Sequence, residues 1–417
     1  MRLLIVSQYF WPENFRINDL VAELLRRGHQ VTVLTGLPNY PDGKVFKQFR
    51  DDPSRYSNYE GAEVIRVPLI SRGHGGLRLI LNYVTFALSA SIVGLWRLRG
   101  RQFDVILTCQ LSPVTVGIPA VILRAVKRAP MVLWVLDLWP DTLQAVGVVR
   151  SPTLLKIIGK LVGFIYKRCD LILVQSKSFI SAIKKYVKET PRVDYFPSWA
   201  ETIFDRKDIA PASEVPSLHG SFNVMFAGNI GIAQDFPAIL AAAERLKSHL
   251  NIRWLIVGDG RMASWVADEI KRRGLQDCVL MLGRYPVERM PSFFRHADAL
   301  LVSLKDEPIF SMTIPGKLQS YLAAGIPVMA MLSGEGAEVV ARSRSGLTCA
   351  AGDSDGLANS ILKLSQMTDD ERRAMGKNGL DISVREFGRD HLMDQLEGWL
   401  RLLRHQAAAD SSVRGKA

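Results

Sequence analysis

The sequence has few of the residues and motifs that mark secreted, metal-binding or hydrolytic proteins. Its four cysteines, Cys109, Cys169, Cys278 and Cys349, are far apart and form no CxxC pair. This spacing favours a reducing compartment and argues against a disulfide framework or a zinc site. The seven histidines form no HxxxH or HExxH pair, so we expect neither a metal nor another cofactor.

Two common catalytic motifs are also missing. There is no GxSxG sequence and no GxxxxGK[ST] sequence, which argues against a serine hydrolase and a P-loop nucleotidase. The N-terminal apolar run, RLLIVS, is too short for a signal peptide, and no small-residue cleavage site follows it. These features predict a cytoplasmic protein.

The positive charge is confined to one half of the chain. Residues 1–200 contain 27 Lys and Arg against 14 Asp and Glu, a net charge of +13, whereas residues 201–417 contain 26 against 27. Such an imbalance predicts a phosphate-rich partner for the N-terminal half: nucleic acid, anionic lipid or a substrate with a pyrophosphate. Nucleic acid is not expected, because no recognition helix and no alternation of aromatic and basic residues is present.

Apolar runs alternate with stretches of helical length and periodicity along the whole chain. This pattern is typical of parallel sheets that are covered by helices on both faces. The predicted strands are residues 2–7, 27–35, 62–68, 103–108, 131–137 and 170–175, and then 222–228, 252–260, 278–283, 297–304 and 326–331.

A polar segment rich in Pro, Ser and Gly, residues 205–221, interrupts the alternation and indicates a linker. We therefore predict an α/β protein of two Rossmann-like, doubly wound domains, 1–205 and 206–385. Two helices, 369–383 and 386–405, and a polar tail, 406–417, are expected to end the chain.

One predicted helix is unusually apolar. Leu79–Trp96 contains no charged residue and is flanked by arginines at both ends. Three interpretations remain open: a buried helix against the N-terminal sheet, a helix in the membrane interface, and a membrane span. Asn82, Thr85 and Ser89 share one face and argue against the span.

The loop 305–328 is the richest candidate site. Pro315 presets the start of a helix, Gly316 allows a ligand to approach the backbone, and Lys317 adds a positive charge beside outward N–H groups. This combination predicts a diphosphate site, although an ordinary capped helix has the same pattern.

Other loops follow predicted strands and supply further candidates. Gly228 and Asn229 lie in AGNIGIA, which is either a phosphate-binding turn or a plain one. Asp137 and Asp141 end a strand in the N-terminal half, where carboxylates are candidates for the site or for helix caps. Arg16 follows the first strand, and Tyr40 lies in a turn that would contact an acceptor.

Together these segments resemble bacterial glycosyltransferases of family 4, which have the GT-B fold. The resemblance rests on residues 9–35, 103–108, 135–141, 226–236, 296–304 and 317–328, and is closest to the L-fucosamine transferases of O-antigen and capsule biosynthesis. It implies two domains facing a cleft, with a nucleotide-sugar on the C-terminal domain and the acceptor on the N-terminal domain. It also implies metal-independent chemistry and a final helix, 386–405, packed on the first domain.

The resemblance gives the candidate residues their roles. Lys317 would stabilise the leaving diphosphate, Glu307 would hold a donor hydroxyl, and Asp137 would orient the acceptor. Further donor-binding candidates are Arg16, Gly228, Asn229, Arg284, Tyr285 (against the base), Pro315, Gly316, Gln319 and Ser320, and the acceptor-binding candidates are Tyr40 and Asp141.

The chain departs from the family pattern at several positions. Ser320 stands where the family has its second, ribose-binding glutamate, and Asn229 and Asp235 stand where it has a basic pair. The expected reaction is transfer of a 6-deoxy or N-acetylated sugar from a UDP-sugar to a lipid-diphosphate-linked saccharide at the inner face of the membrane. A nucleotide-sugar 2-epimerase and a catalytically silent sugar-nucleotide-binding partner remain as alternatives.

Overall fold

The computed structural model describes residues 1–41, 43–73, 76–145, 147–187, 191–200, 202–205 and 209–414. The chain divides into two compact units. The first comprises Met1–Phe196 and Leu392–Ala417, and the second comprises Pro197–His391. Each unit contains one sheet with helices between successive strands.

The first unit is built on an eight-stranded sheet in the order β3-β4-β2-β1-β5-β6-β7-β8, parallel except for the β3–β4 pair. Its strands are β1 (Arg2–Val6), β2 (Gln30–Gly36), β3 (Asn58–Tyr59), β4 (Ala62–Val67), β5 (Val105–Gln110), β6 (Met131–Val135), β7 (Leu171–Val174) and β8 (Arg192–Tyr195). Its helices are α1 (Arg16–Arg26), α2 (Lys47–Asp51), α3 (Gly76–Arg97), α4 (Gly117–Lys127), α5 (Asp141–Ala145), α6 (Pro152–Tyr166) and α7 (Ser178–Lys184).

The second unit is built on a six-stranded parallel sheet in the order β11-β10-β9-β12-β13-β14. Its strands are β9 (Phe222–Ala227), β10 (Ile252–Val257), β11 (Val279–Gly283), β12 (Ala299–Ser303), β13 (Val328–Met331) and β14 (Gly346–Cys349). Its helices are α8 (Phe236–Arg245), α9 (Ala263–Arg272), α10 (Met290–Phe294), α11 (Pro308–Ser311), α12 (Gly316–Ala323), α13 (Glu335–Ser343), α14 (Ser354–Gln366) and α15 (Asp369–Phe387). The last helix, α16 (Arg389–Arg414), joins the first unit from Leu392 onwards.

The α/β prediction with two doubly wound domains is confirmed, with differences at the boundaries. The division falls at Phe196, before the predicted boundary at 205, because Phe196 packs edge-on against Trp134 and Trp399 in the first unit. The predicted polar tail, 406–417, is helical as far as Arg414, and no proline interrupts it.

Helix α3 has a buried face and an exposed face. Asn82 lies on the buried face, where it accepts a hydrogen bond from Gln8 and donates one to the carbonyl oxygen of Ile70. Every fourth residue of the other face is apolar and exposed: Ile80, Val84, Leu88, Ile92 and Trp96. Among the described residues α3 is the one helix long and apolar enough to cross a membrane, judged by length and composition alone.

The packing of α16 gives a test of the first unit. Leu396 is fully buried, and Leu392 and Leu400 lie one turn away on the same buried stripe. We expect Leu396→Ala to lower the free energy of unfolding of the first unit by about 2–5 kcal/mol, because truncation leaves a cavity. Urea unfolding would measure this. Leu402→Ala, at an exposed position, is the matched control, and equal losses in both variants would contradict the packing.

Candidate functional site

The second unit has a topological switch point at the centre of its sheet. From β9 the chain proceeds to β10 on one side, and from β12 it proceeds to β13 on the other. The chain therefore leaves β9 and β12 in opposite directions at the carboxyl edge of the sheet, and such folds bind ligands at this point. Two hydrogen bonds join the loops that follow β9 and β12: Lys305 N–H donates to the Ala233 carbonyl oxygen at 2.8 Å, and Ser303 Oγ donates to that of Gln234 at 2.7 Å.

Helix α12 begins beside this switch point. Pro315 is its N-cap residue, and Gly316, its first residue, is exposed with open space where a Cβ would project. Gln319 is fully buried, and with its amide group turned towards the helix start it donates to the carbonyl oxygens of Gly316 (2.8 Å) and Pro315 (3.0 Å). Gln319 therefore fixes the first turn, while the N–H groups at the helix start face accessible space.

The side chain of Lys317 turns back towards the sheet. It lies against the loop after β9, with Nζ 3.7 Å from the centroid of the Phe226 ring. Nζ is buried and has no hydrogen-bond partner among the described residues, although the residue as a whole is half-exposed. Burial lowers the pKa of Lys317 from its ordinary value to about 7.

Two further contacts hold α12 against the loop after β9. The Tyr321 hydroxyl donates to the Ala227 carbonyl oxygen at 3.0 Å and accepts from the Ala227 N–H at 2.9 Å. Gly228 has a φ of 140°, and a Cβ there would stand 3.2 Å from Lys317 Nζ. The backbone conformation at this position therefore favours glycine, and the ammonium group lies close to it.

Except for Arg16, the remaining donor-site candidates lie on the second unit, in different settings. Asn229 is exposed, and its amide group contacts Gly231 and Gly260 of the neighbouring loops. Tyr285 is half-buried against Phe293, with ring centroids 4.5 Å apart. Arg284 is exposed, Glu307 is the half-buried N-cap residue of α11, and Ser320 is buried in α12. Arg16, the first residue of α1, belongs to the first unit.

Sequence reasoning missed two charged groups at this edge of the sheet. Glu335 begins α13, immediately after Gly334, whose φ is 71°. A Cβ on Gly334 would collide with the Ser311 carbonyl oxygen, so α13 starts directly against the end of α11. Lys305 interacts with the half-buried Asp235 carboxyl. The SGEG sequence after a predicted strand was the signal that could have identified Glu335.

In the first unit, Asp137 lies just beyond β6 in a polar enclosure. The Trp139 indole N–H donates to its Oδ2 at 3.1 Å, and the Ser112 and Thr142 hydroxyls also bond to the carboxyl group. Burial nevertheless raises the pKa of Asp137 to about 6. Asp141 is exposed in the first turn of α5.

A second carboxylate orders the loops after β1 and β2. Glu13 is buried and accepts hydrogen bonds from the backbone N–H groups of Phe10 (3.2 Å), Asn39 (2.8 Å) and Tyr40 (2.7 Å). Burial raises the pKa of Glu13 to about 7. Tyr40 is thereby held at the edge of an aromatic cluster with Tyr9 and Phe15, with its own ring 36% exposed.

No group of three metal-ligating side chains occurs within the residues that the structure describes. The polar features of the second unit suit an anion instead, because a helix start and a cation converge beside one glycine-rich loop. The first unit offers carboxylates and aromatic faces, which suit a hydroxyl-bearing ligand.

Comparison with known proteins agrees with this division. Residues 14–199 match the family model described as glycosyl transferase 4-like domain, and residues 221–367 match the model described as glycosyl transferases group 1. WbjE of Pseudomonas aeruginosa, described as a probable glycosyltransferase, is 26% identical over 72% of this chain and 73% of its own length. WcaI of Escherichia coli K12, whose name assigns it to colanic acid biosynthesis, is 26% identical over 78% of this chain and 82% of its own.

Solved structures confirm the predicted GT-B fold. Anabaena HepE in complex with UDP and glucose superposes with a TM-score of 0.68 at 16% identity, covering 96% of this chain and 99% of that one. Sucrose-phosphate synthase from Thermosynechococcus elongatus superposes with a TM-score of 0.71 at 17% identity, covering 96% and 98%.

The buried ammonium group predicts an unusual dependence of stability on pH. The pKa of Lys317 is lower in the folded chain (about 7) than its ordinary value of 10.5. Between these two pKa values the unfolded chain binds more protons at Lys317 than the folded chain does. The free energy of unfolding therefore increases as the pH rises through that window and decreases as the pH falls towards 7.

We therefore expect Lys317→Met, which keeps the side-chain length but not the charge, to raise the melting temperature of the unliganded protein at pH 7. The difference between variant and parent should shrink as the pH rises towards about 10. Calorimetry across this range would measure it. Lys363→Met, at an exposed position in α14, is the control. A Lys317→Met protein that is less stable than the parent at pH 7 would contradict the burial of Nζ.

Proposed function

We propose that this chain, whose two units are glycosyltransferase domains, builds bacterial surface polysaccharide by transferring a 6-deoxy or N-acetylated sugar, such as N-acetyl-L-fucosamine. The donor is a UDP-sugar and the acceptor is a lipid-diphosphate-linked saccharide at the inner face of the cytoplasmic membrane. The names of relatives such as WcaI support the pathway class, and the HepE complex with UDP supports the donor class.

One observation carries the donor site. Lys317 Nζ is buried without a hydrogen-bond partner among the described residues, at the start of α12 and against the loop after β9. A buried cation without a counter-ion is unfavourable, and a diphosphate at the helix start would supply that counter-ion. The N–H groups at the start of α12 would bind the same phosphate oxygens.

The chemistry follows from this arrangement. The bond between the anomeric carbon and the diphosphate breaks, and a bond forms between that carbon and an acceptor oxygen, whose proton is released. Negative charge accumulates on the departing diphosphate, where Lys317 and the start of α12 stabilise it without a metal. Asp137 accepts a hydrogen bond from the acceptor hydroxyl and orients it, with Tyr40 and Asp141 as further acceptor contacts.

Membrane association completes the proposal. The exposed stripe of α3 (Ile80, Val84, Leu88, Ile92 and Trp96) is apolar, and arginines flank the helix. Such a helix suits the boundary between headgroups and acyl chains. The enzyme is therefore proposed to be peripheral on the membrane rather than to span it, because the buried face of α3 is occupied by the first unit.

Donor binding is tested first. A panel of nucleotide sugars is screened for thermal stabilisation, and UDP affinity is then measured by calorimetry. We expect Lys317→Met to weaken UDP binding ~10²-fold, since it removes a charge-assisted contact in a water-poor site. Binding by the parent should be tighter at pH 6 than at pH 8.5, because the ammonium form predominates below its pKa of about 7.

The matched control for this experiment is Lys363→Met, which removes an equal charge from an exposed site on the same unit. If Lys317→Met binds UDP as tightly as the parent does, the proposal that the diphosphate binds at the start of α12 is wrong. Conversion of donor without acceptor would instead identify an epimerase, and donor binding without transfer to any lipid extract would identify a silent binding partner.

Asp137 is tested by turnover. We expect Asp137→Asn to lower kcat by ~10²-fold or more while donor affinity stays unchanged, because the residue acts on the acceptor. In the parent, kcat should fall as the pH drops below about 6, where the carboxylate is protonated, and the variant should lack this limb. Equal kcat values for the parent and Asp137→Asn at pH 7.5 would exclude a role of Asp137 in orienting the acceptor.

A further inference from the structure

Helix α6 has an unusual outer surface for a helix on a sheet. Of its 15 residues only Val162, Ile165 and Tyr166 are buried. Apolar side chains at a spacing of one or two turns are exposed instead: Leu154 (39%), Ile157 (58%) and Phe164 (44%). An exposed apolar face of this kind marks an interaction surface rather than a solvated helix.

A groove of about 850 Å³ runs beside α6. On one side it is lined by α6, and on the other by Lys185 and Tyr186, which follow α7. Gly159 and Gly163 face the Tyr186 ring, which lies 3.5 Å and 3.8 Å from where their Cβ atoms would be. Because these two residues are glycines, α6 contributes no side chain to the floor of the groove at either position.

The charged side chains that line this groove, which we call the α6 groove, are all positive. Its lining includes Lys156, Lys160, Lys167, Arg168 and Lys185, and no acidic residue. The Arg168 guanidinium lies over the Phe164 ring at 3.6 Å. Within the described part of the chain, none of the four lysines has an ion-pair partner. Such a cluster is complementary to an anionic surface.

The α6 groove also lies on the same face of the sheet as α3. Helices α3, α4 and α6 connect β4 to β5, β5 to β6 and β6 to β7, and each connection proceeds in the same direction across the sheet. Right-handed crossovers therefore place all three on one face, and α4 packs against both α3 and α6. The helices that carry the apolar stripe (α3) and the basic groove (α6) thus both pack against α4.

We propose that the α6 groove binds the headgroup phosphates of anionic phospholipids, while Leu154, Ile157 and Phe164 enter the boundary between headgroups and acyl chains. The inference rests on the proposed membrane association and names the lipid class that the first unit recognises. Lysines beside apolar side chains favour a lipid surface, because a nucleic acid or an acidic protein would leave the exposed apolar side chains unused.

The test is flotation of the full chain with vesicles that contain no saccharide-linked lipid. Phosphatidylcholine vesicles with and without 30% phosphatidylglycerol, about the fraction that gives a strong negative surface potential, are compared. The triple variant Lys156→Gln, Lys160→Gln, Lys185→Gln is expected to bind anionic vesicles ~10²-fold more weakly than the parent. The control removes the same charge from the second unit: Lys271→Gln, Lys363→Gln, Lys377→Gln, all at exposed positions.

Three results would overturn the proposal. The first is equal binding of the groove variant and the control variant to anionic vesicles. The second is binding of the parent to neutral and anionic vesicles alike. The third is recruitment only when a lipid diphosphate is added, which would assign the groove to the acceptor. Unchanged melting temperatures of both variants would show that folding is intact.

Two further measurements separate this proposal from the proposed function. Transfer to a detergent-solubilised acceptor should be the same in the groove variant and the parent, because Lys156, Lys160 and Lys185 are not among the residues proposed to contact the donor or the acceptor. Flotation of the double variant Leu88→Ser, Ile92→Ser tests separately whether the apolar stripe of α3 contributes to vesicle binding. A parent that floats with anionic vesicles through the groove but transfers no sugar would support the groove and contradict the transferase.

Discussion

The contact of the Lys317 ammonium with Phe226 and Gly228 is the physical constraint on which the proposed donor site of the second unit depends. Nζ lies 3.7 Å from the centre of the Phe226 ring, where the aromatic face supplies part of the electrostatic compensation that a buried cation needs. No hydrogen-bond acceptor among the described residues supplies the rest. The Tyr321 hydroxyl, on the same helix, holds the backbone of Ala227 in place. The cation is therefore positioned before any ligand arrives, and an incoming anion need not order it.

This contact places a positive charge beside a loop in which the chain departs from the family pattern. The family's basic pair in the loop after β9 is replaced by Asn229 and Asp235. Lys317 reaches that loop from α12, next to Gly228, so a positive charge is present beside it although the loop has lost its own. Asp235, with a left-handed φ of 50° and a half-buried carboxyl group, has Lys305 as a nearby charge. The cation beside this loop therefore comes from a helix, in agreement with the choice of Lys317 from the sequence as the diphosphate-binding cation.

Much of the fold could be predicted from the sequence, because central parallel strands are covered on both faces and appear as continuous apolar runs. The same rule explains the strands that were missed. β8 (RVDY) and β14 (GLTC) lie at sheet edges, are only partly buried and contain polar residues, so no apolar run marks them. β3 has only two residues. Propensity and periodicity carry little information about such short edge elements.

The candidate site was less predictable, since strand order places loops but does not give side-chain directions. The start of α12 could be located from the sequence. The sequence could not show that the Lys317 side chain lies over Phe226, or that the Gln319 amide group bonds to the first turn of the helix and is not free for a ligand. These contacts depend on how the folded segments pack. Glu13 is similar. Its role in ordering Asn39 and Tyr40 links loops 26 or more residues apart, and nothing in the local sequence announces it.

The two units use positive charge in physically different ways. In the first unit the excess is spread over exposed side chains such as those of the α6 groove, where water and salt screen each charge within about 10 Å. In the second unit the charge proposed to bind the donor is a buried ammonium group, which salt screens little but which protonation controls. Many weak, screened contacts suit an extended surface that must be bound and released, whereas one poorly solvated charge suits a small anion whose departure must be stabilised. The net charge of the sequence therefore says little about the proposed donor site: the half of the chain that carries almost no net charge contains the buried cation that is proposed to bind the donor diphosphate.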